Sequence, residues 1–366
     1  MLHPVDPNTV AVVGGGIAGL SLGWELAKRG RHVTVLEAER IGGGASATAT
    51  SYMEPRFGKG ASRRLEWESL RRWPAFAREL EEVSGVNVGL TFGQWRFAYP
   101  EDEARVRNDM EKRRGLGWSV EWMDGDAMRE RVPELSSDIV GATCVADAGW
   151  VDGPAVCRAL VKALHGQDVR EGQQTRVIWP IGSSDIVVAC GTGANTIDVQ
   201  TDDGEPVSPL PNIRPLKGTT LFYPRLIQLP AMLRHPNISI VPRPDGVVVG
   251  ASKEEGATSL EPDPTIVARL HSLASRALPV LANTTPQPSC AWRAYVPDRA
   301  LALGRSTDMP NLWWSLGHGG VGYLRAPLVA HELAAALCGE ADALDFCAPF
   351  FDGSPRDALE SEGRTS

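Results

Sequence analysis

VAVVGGGIAGLSLGWELAKRGRHVTVLE, residues Val10 to Glu37, is the stretch on which the fold turns. Val10–Val13 is an apolar run of strand length. It enters Gly14-Gly15-Gly16-Ile17-Ala18-Gly19, which fits G-x-G-x-x-G. A helical stretch from Ile17 to about Arg29 is stopped by Gly30, and a second strand, His32–Leu36, ends in Glu37. The glycines act differently. Gly14 permits the tight turn, Gly16 lets a pyrophosphate approach the backbone, and Gly19 lets helix and strand pack closely. The helix start offers unpaired N–H groups and a partial positive charge to phosphates. Glu37, about 20 residues on, can accept hydrogen bonds from both hydroxyls of a ribose. Strand, glycines, helix, strand and acid in this order predict a dinucleotide-binding unit rather than a glycine-rich turn in an unrelated α/β domain.

Working outward, 366 residues leave room for two domains and a large core. The chain is 43% hydrophobic and 22% charged, an ordinary globular composition, and its net charge of -8 argues against a broad nucleic-acid surface. Arg63-Arg64 and Arg71-Arg72 share a helical stretch with Glu66 and Glu68 and read as a solvated face. Nothing at the N-terminus resembles a signal peptide, and no apolar run is long enough to span a bilayer. The six cysteines are scattered without C-x-x-C, as in reduced thiols of a cytoplasmic protein, and the seven histidines lack metal-ligand spacing, so no metal is expected.

A second glycine-rich loop, Ile41 to Ser46, follows Glu37, and small residues continue to Ser51 before Tyr52-Met53-Glu54-Pro55. Helices are expected over about 62–84, 101–116, 154–164, 265–278 and 326–337. Strands are expected within 85–100 and over 185–191, 216–223, 238–242, 247–250 and 313–317. Gly191-Thr192-Gly193 and Gly317-His318-Gly319-Gly320-Val321-Gly322 each follow a buried strand, where a doubly wound sheet keeps its cofactor. Nucleotide-binding elements thus occur at both ends and in the middle of the chain. The expected class is α/β with an α+β substrate part: a Rossmann-type domain (1–58, 140–205, 305–352) interleaved with a β-sheet-based substrate domain (59–139, 206–304). A flexible tail follows from 353.

These features together resemble the FAD-dependent D-amino acid oxidase family, and within it the bacterial glycine oxidases, over nearly the whole chain. The marks are the Val12–Gly30 motif with Glu37, Gly44-Ala45-Ser46, Gly149-Trp150-Val151-Asp152, Arg214-Pro215-Leu216-Lys217-Gly218, and Val241-Pro242-Arg243 before Val247–Ala251. Trp292-Arg293 stands where the family has L-R-P, and Gly317–Gly322 and Ala326-Pro327 complete the set. The resemblance implies noncovalent FAD. It places Gly14, Gly16, Ile17, Ala18 and Gly19 at the pyrophosphate, and Glu37 and Ala38 at the adenosine ribose. Ala45, Ser46, Thr50 and Ser51 run along the second loop, and Thr175 and Gly191 come from the middle of the chain. Gly317, His318, Gly319, Gly320, Val321, Gly322, Tyr323 and Leu324 wrap the flavin, mostly through backbone groups. His318 is given a structural role rather than that of a base.

The resemblance also makes Arg293 the carboxylate-binding arginine, a planar fork that fixes the substrate Cα–H against the flavin. Ser239 stands where glycine oxidase has a substrate-side tyrosine, Lys253 where it has a pocket methionine, and Gly320 where it has a second substrate arginine. Tyr52 and Glu54 replace small or apolar residues near the flavin. A roomier pocket with new polar groups implies a substrate larger than glycine or substituted on nitrogen. The implied activity is oxidation of the CH–NH bond of a small amino acid or amine to an imine, with O2 or another electron acceptor. Glycine oxidase, serving thiamine biosynthesis, is the first specific expectation, and a D-amino acid dehydrogenase or sarcosine-type oxidase is the alternative. A non-catalytic FAD-binding redox or assembly subunit is the alternative of another class. A homo-oligomer is left open.

Overall fold

The computed structural model describes residues 8–56, 61–173, 177–178, 185–200, 205–206, 211–224, 227–297, 301–306 and 309–340. Two sheets organise the chain. The first has six strands in the order Ala302–Arg305, Leu312–Leu316, Asp185–Val188, Thr9–Val13, His32–Leu36, Asp168–Arg170. Its pairs are parallel except the edge pair of Ala302–Arg305 with Leu312–Leu316. Strands buried on both faces carry continuous Val and Ile runs such as Val10–Val13 and Ile186-Val187-Val188. Helices Ile17–Lys28, Ala61–Ser84, Gly153–Ala163 and Gly322–Leu337 pack together beside this sheet around Leu20, Leu22, Trp73, Leu160 and Leu333.

The second sheet has nine strands. Its path runs Gln287–Tyr295, Arg214–Pro224, Gly246–Gly250, Ile238–Arg243, Met232–His235, Thr91–Ala98, Gly141–Trp150, Tyr52–Met53, with Val120–Asp124 also on Gly141–Trp150. One face buries Phe97, Ile240, Val249 and Leu221 against helix Pro264–Ala277. Side chains alternate along a strand, so the partners between them share the other face. The registers Arg96↔Arg234↔Ser239↔Gly250↔Thr220 make one row across that face, and Arg293, paired with Leu216, lies on it too.

Several local readings differ from the sequence expectation. Residues 85–100 hold one strand, Thr91–Ala98, because Gly85 and Gly89 both take positive φ and keep the segment between them out of a ladder. Strand Gly141–Trp150, which a boundary at 140 puts with the nucleotide-binding part, is bonded instead into the nine-stranded sheet. Strands Met232–His235 and Gln287–Tyr295 have no strong alternation of their own and form because neighbours supply their hydrogen bonds. The tail expected from 353 lies outside the described residues. No helix among the described residues is long and apolar enough to cross a membrane.

Candidate active site

Because the central strands run parallel, the turns after Val13, Val188 and Leu316 open at one edge of the six-stranded sheet. Gly14 has φ +119°, and a Cβ there would lie 2.6 Å from the backbone of Ala189 and Cys190. A Cβ on Gly19 would lie 1.9 Å from the Gly14 carbonyl oxygen, so only glycine allows this helix to pack on its strand. Gly16 and Ala18 remain partly exposed at the helix start. The Glu37 carboxylate accepts from Gly15 N–H at 2.7 Å and Glu39 N–H at 3.0 Å. It is thereby fixed beside the turn with lone pairs to spare. Ala38 is exposed next to it.

The second loop folds onto the first. Residues Gly44–Thr48 form a short helix, and Ser46 Oγ accepts from Ile17 N–H at 3.0 Å. Ala45 lies half-buried beside it, Thr50 is buried, and Ser51 takes a positive φ of 58° although it is not glycine. The loop is moored to the nine-stranded sheet where Thr220 Oγ1 donates to the Thr48 carbonyl at 3.1 Å and Arg243 donates to the Ala49 carbonyl at 2.7 Å. It therefore lies over the face that carries Arg293.

The glycine loop after Leu316 closes the third side. Gly317 and Gly319 take positive φ, and Gly319 sits against the Tyr295 ring. Gly322 faces Ile17, so the first and last glycine motifs meet. His318 Nε2 lies 3.2 Å from Ser315 Oγ, and its Nδ1 is buried with no partner. Burial, helped by Arg325, pushes the His318 pKa down to about 3, so the ring is neutral at physiological pH and a poor base. Gly191 opens a 3-10 turn on the same edge, and Val321 is half-buried. The Tyr323 and Leu324 side chains point into the core. Tyr323 OH donates to the Ser46 carbonyl at 2.9 Å, and its own carbonyl accepts from Trp73 Nε1 at 3.0 Å.

Arg293 is half-buried on strand Gln287–Tyr295 and donates from Nη2 to the Ser252 carbonyl. To get there its guanidinium crosses Gly218, where a Cβ would lie 1.9 Å from Nη2. Nη1 is 3.8 Å from where a Cβ of Gly320 would stand, and Gly320, in the glycine loop, is exposed. The cation thus stands between the nine-stranded sheet and the glycine loop of the other sheet.

Residues 9–336 match the model of the DAO family, described as FAD dependent oxidoreductase. The chain belongs to this family. It is 28% identical to the bifunctional protein ThiO/ThiG of a Nostoc species over 89% of this chain, but spans only 52% of that protein. It is 26% identical to the glycine oxidase of Bacillus licheniformis, covering 90% of this chain and 92% of that one. The solved glycine oxidase of Geobacillus kaustophilus superposes with a TM-score of 0.82 at 26% identity, over 93% of this chain and 97% of that one.

The family's cofactor, FAD, fits the residues present. The Gly14 and Gly19 positions exclude a Cβ, Gly16 is partly exposed with Ser46 Oγ 3.1 Å from where its Cβ would stand, Glu37 is held at the turn, and the orphaned His318 Nδ1 lies in the loop that would meet the ring system. Of the expected cofactor residues, Thr175 lies outside the described residues. Three substrate-side expectations change. Glu54 is no free pocket carboxylate: its oxygens lie 2.9 Å from Arg96 and 2.8 Å from Arg113, and Gln94 Nε2 donates at 3.1 Å. Burial would raise its pKa, but Arg96 and Arg113 outweigh that and hold it below the usual carboxylate range. Ser239 is fully buried, and its hydroxyl is tied to the Gly250 carbonyl at 2.6 Å. Lys253 is exposed, one residue past the carbonyl that holds Arg293. Tyr52 is half-buried, with the Arg234 guanidinium 5.1 Å from its ring centroid. Arg234, Arg96, Arg113 and Tyr295 escaped the sequence reading, since only sheet register and the helix Glu103–Gly115 bring them to this face.

Proposed function

We propose that this FAD-dependent oxidoreductase oxidises the CH–NH bond of a small amino acid or secondary amine to an imine. The observation that carries the reading is Arg293, a guanidinium seated over a glycine and facing the glycine loop. Such a fork grips a carboxylate in a bidentate manner and fixes the orientation of the attached Cα. Held by the Gly14–Gly19 turn, Glu37 and the Gly317–Gly322 loop, FAD would supply the hydride-accepting group and the route for the electrons to O2 or another acceptor. The protein's share is placement and exclusion of water. Arg293 orients the carboxylate, the second loop and glycine loop close the two sides, and neutral His318 keeps the glycine loop in shape through Ser315. No side chain need take a proton if the amine enters neutral.

We assign the six-stranded sheet and its helices to FAD and the nine-stranded sheet to substrate, with FAD held noncovalently. Gly320, exposed beside the Arg293 guanidinium, leaves room there and favours a substrate larger than glycine or substituted on nitrogen. Anaerobic mixing with glycine, sarcosine and D- and L-amino acids tests the reading. Bleaching of the flavin by one of them is expected, with glycine not giving the highest ratio of reduction rate to half-saturation concentration. A flavin untouched by the whole panel would support a non-catalytic FAD-binding subunit instead.

A further inference from the structure

Arg234 lies in strand Met232–His235 between Arg96 and Ser239 in the row that crosses the substrate-side face. Its guanidinium rests on the ring of Tyr52, which continues directly from the second loop. Its Nε is buried and has no hydrogen-bond partner, and no carboxylate contacts it as an ion pair among the described residues. The surroundings do not neutralise it. Glu54 feels its field, but the Glu54 oxygens are taken by Arg96, Arg113 and Gln94, and Asp109 acts on Arg113. Two carboxylates therefore stand among three guanidiniums, and the excess positive charge falls on the one that neither carboxylate touches. A half-buried cation without a counter-charge is costly, and an incoming anion repays that cost.

Arg293 leans towards this place. Its head crosses strand Arg214–Pro224 at Gly218 and reaches Ser252, just past strand Gly246–Gly250. Gly250 stands in Arg234's row two strands away, and Ser252 lies two residues further along, a backbone separation of roughly 12 Å at the usual spacings. A molecule gripped at both ends is a short dianion with its amine near the first carboxylate. We propose that the preferred substrate is an amino acid with a second carboxylate, its α-carboxylate on Arg293 and its distal carboxylate on Arg234. This inference rests on the amine-oxidation reading above. The recognising chemistry is the same whether the second carboxylate ends the side chain or a substituent on nitrogen.

Matched pairs that differ in that charge test it on the holoenzyme: glutamate against glutamine in each enantiomer, and iminodiacetate against sarcosine. In at least one pair, the dicarboxylate is expected to show kcat/KM higher by about tenfold or more, and the pair tells where the second carboxylate sits. In Arg234→Met the preference should fall to within about threefold, with part of it kept in Arg234→Lys. Binding without turnover gives a second reading on the wild type: glutarate should raise the thermal midpoint of the holoenzyme more than butyrate at equal concentration. No preference in either pair, a preference that survives Arg234→Met, or equal shifts with glutarate and butyrate overturns the inference. Bleaching by the neutral partners without a preference removes this inference alone; no bleaching by any amine removes the amine-oxidation reading and this one with it.

Discussion

At Arg293 the geometry turns on an atom that is missing. A Cβ at residue 218 would collide with Nη2, so Gly218 sets the path of the cation as firmly as the Ser252 carbonyl that receives it. Arg293→Ala should leave a folded, yellow protein that amino acids reduce poorly. Loss of a desolvated charge-assisted contact costs about 2–5 kcal/mol, read as a fall in kcat/KM of roughly 30-fold or more. Arg293→Lys should recover only part, because a point charge lacks the fork. Unchanged turnover in Arg293→Ala would sink the carboxylate assignment. Gly218→Ala should mimic much of the Arg293→Ala loss while the FAD content of the purified protein stays the same. If reduction kinetics in Gly218→Ala match the wild type, the cradle has no part in placing the guanidinium.

Among the elements, three helices meet at one buried carboxylate. Glu25 of helix Ile17–Lys28 has a side chain only 2% exposed, with Lys28 at 3.0 Å, Arg29 at 2.7 Å and His331 of helix Gly322–Leu337 at 3.3 Å. Arg72 of helix Ala61–Ser84 stands at 4.0 Å. Burial alone would raise the Glu25 pKa, but His331, Lys28 and Arg29 bring it from 4.5 to about 2. A carboxyl depressed in the folded state stabilises fully above its unfolded pKa and loses that contribution as pH falls through the folded one. The window here is pH 4.5 down to about 2, and the contribution is about 3 kcal/mol. Glu25→Gln should therefore lower the thermal midpoint at neutral pH and flatten its fall below pH 4.5. Parallel wild-type and variant curves through that window would show that Glu25 does not carry the linkage. A second buried pair, Glu66 with Arg325 at 2.7 Å, joins the same helices Ala61–Ser84 and Gly322–Leu337 beside the glycine loop.

For the whole molecule, the cleft proposed for FAD lies where segments from both ends and the middle of the chain converge, so FAD and fold should be strongly linked. Acid precipitation is expected to release the flavin into the supernatant with the spectrum of FAD, and added FAD should raise the thermal midpoint of the stripped protein. At a hundred times Kd the gain is about 2.7 kcal/mol. Flavin that stays with the pellet would count against noncovalent binding. The Val10–Glu37 unit and the glycine loop at Gly317–Gly322 were legible in the sequence because their information is local. Adjacent residues set the turns, the helix start and the strand, and only glycine satisfies Gly14 and Gly19. Arg293 was legible as a candidate through family resemblance, but its cradle was not. Arg234 is far along the chain from Arg96 and Arg113, which sit on a strand and the helix after it, and no spacing along the chain marks the three as neighbours. Sheet register put Arg96 beside Arg234 and Ser239, and ion pairing turned Glu54 from an expected pocket acid into the counter-charge of Arg96 and Arg113. The sequence by itself thus determined the nucleotide-binding edge, where contacts are between chain neighbours. Only the tertiary structure decided the charge balance of the face that carries Arg234 and Arg293, because cross-strand pairing and burial, not sequence distance, set which charges meet.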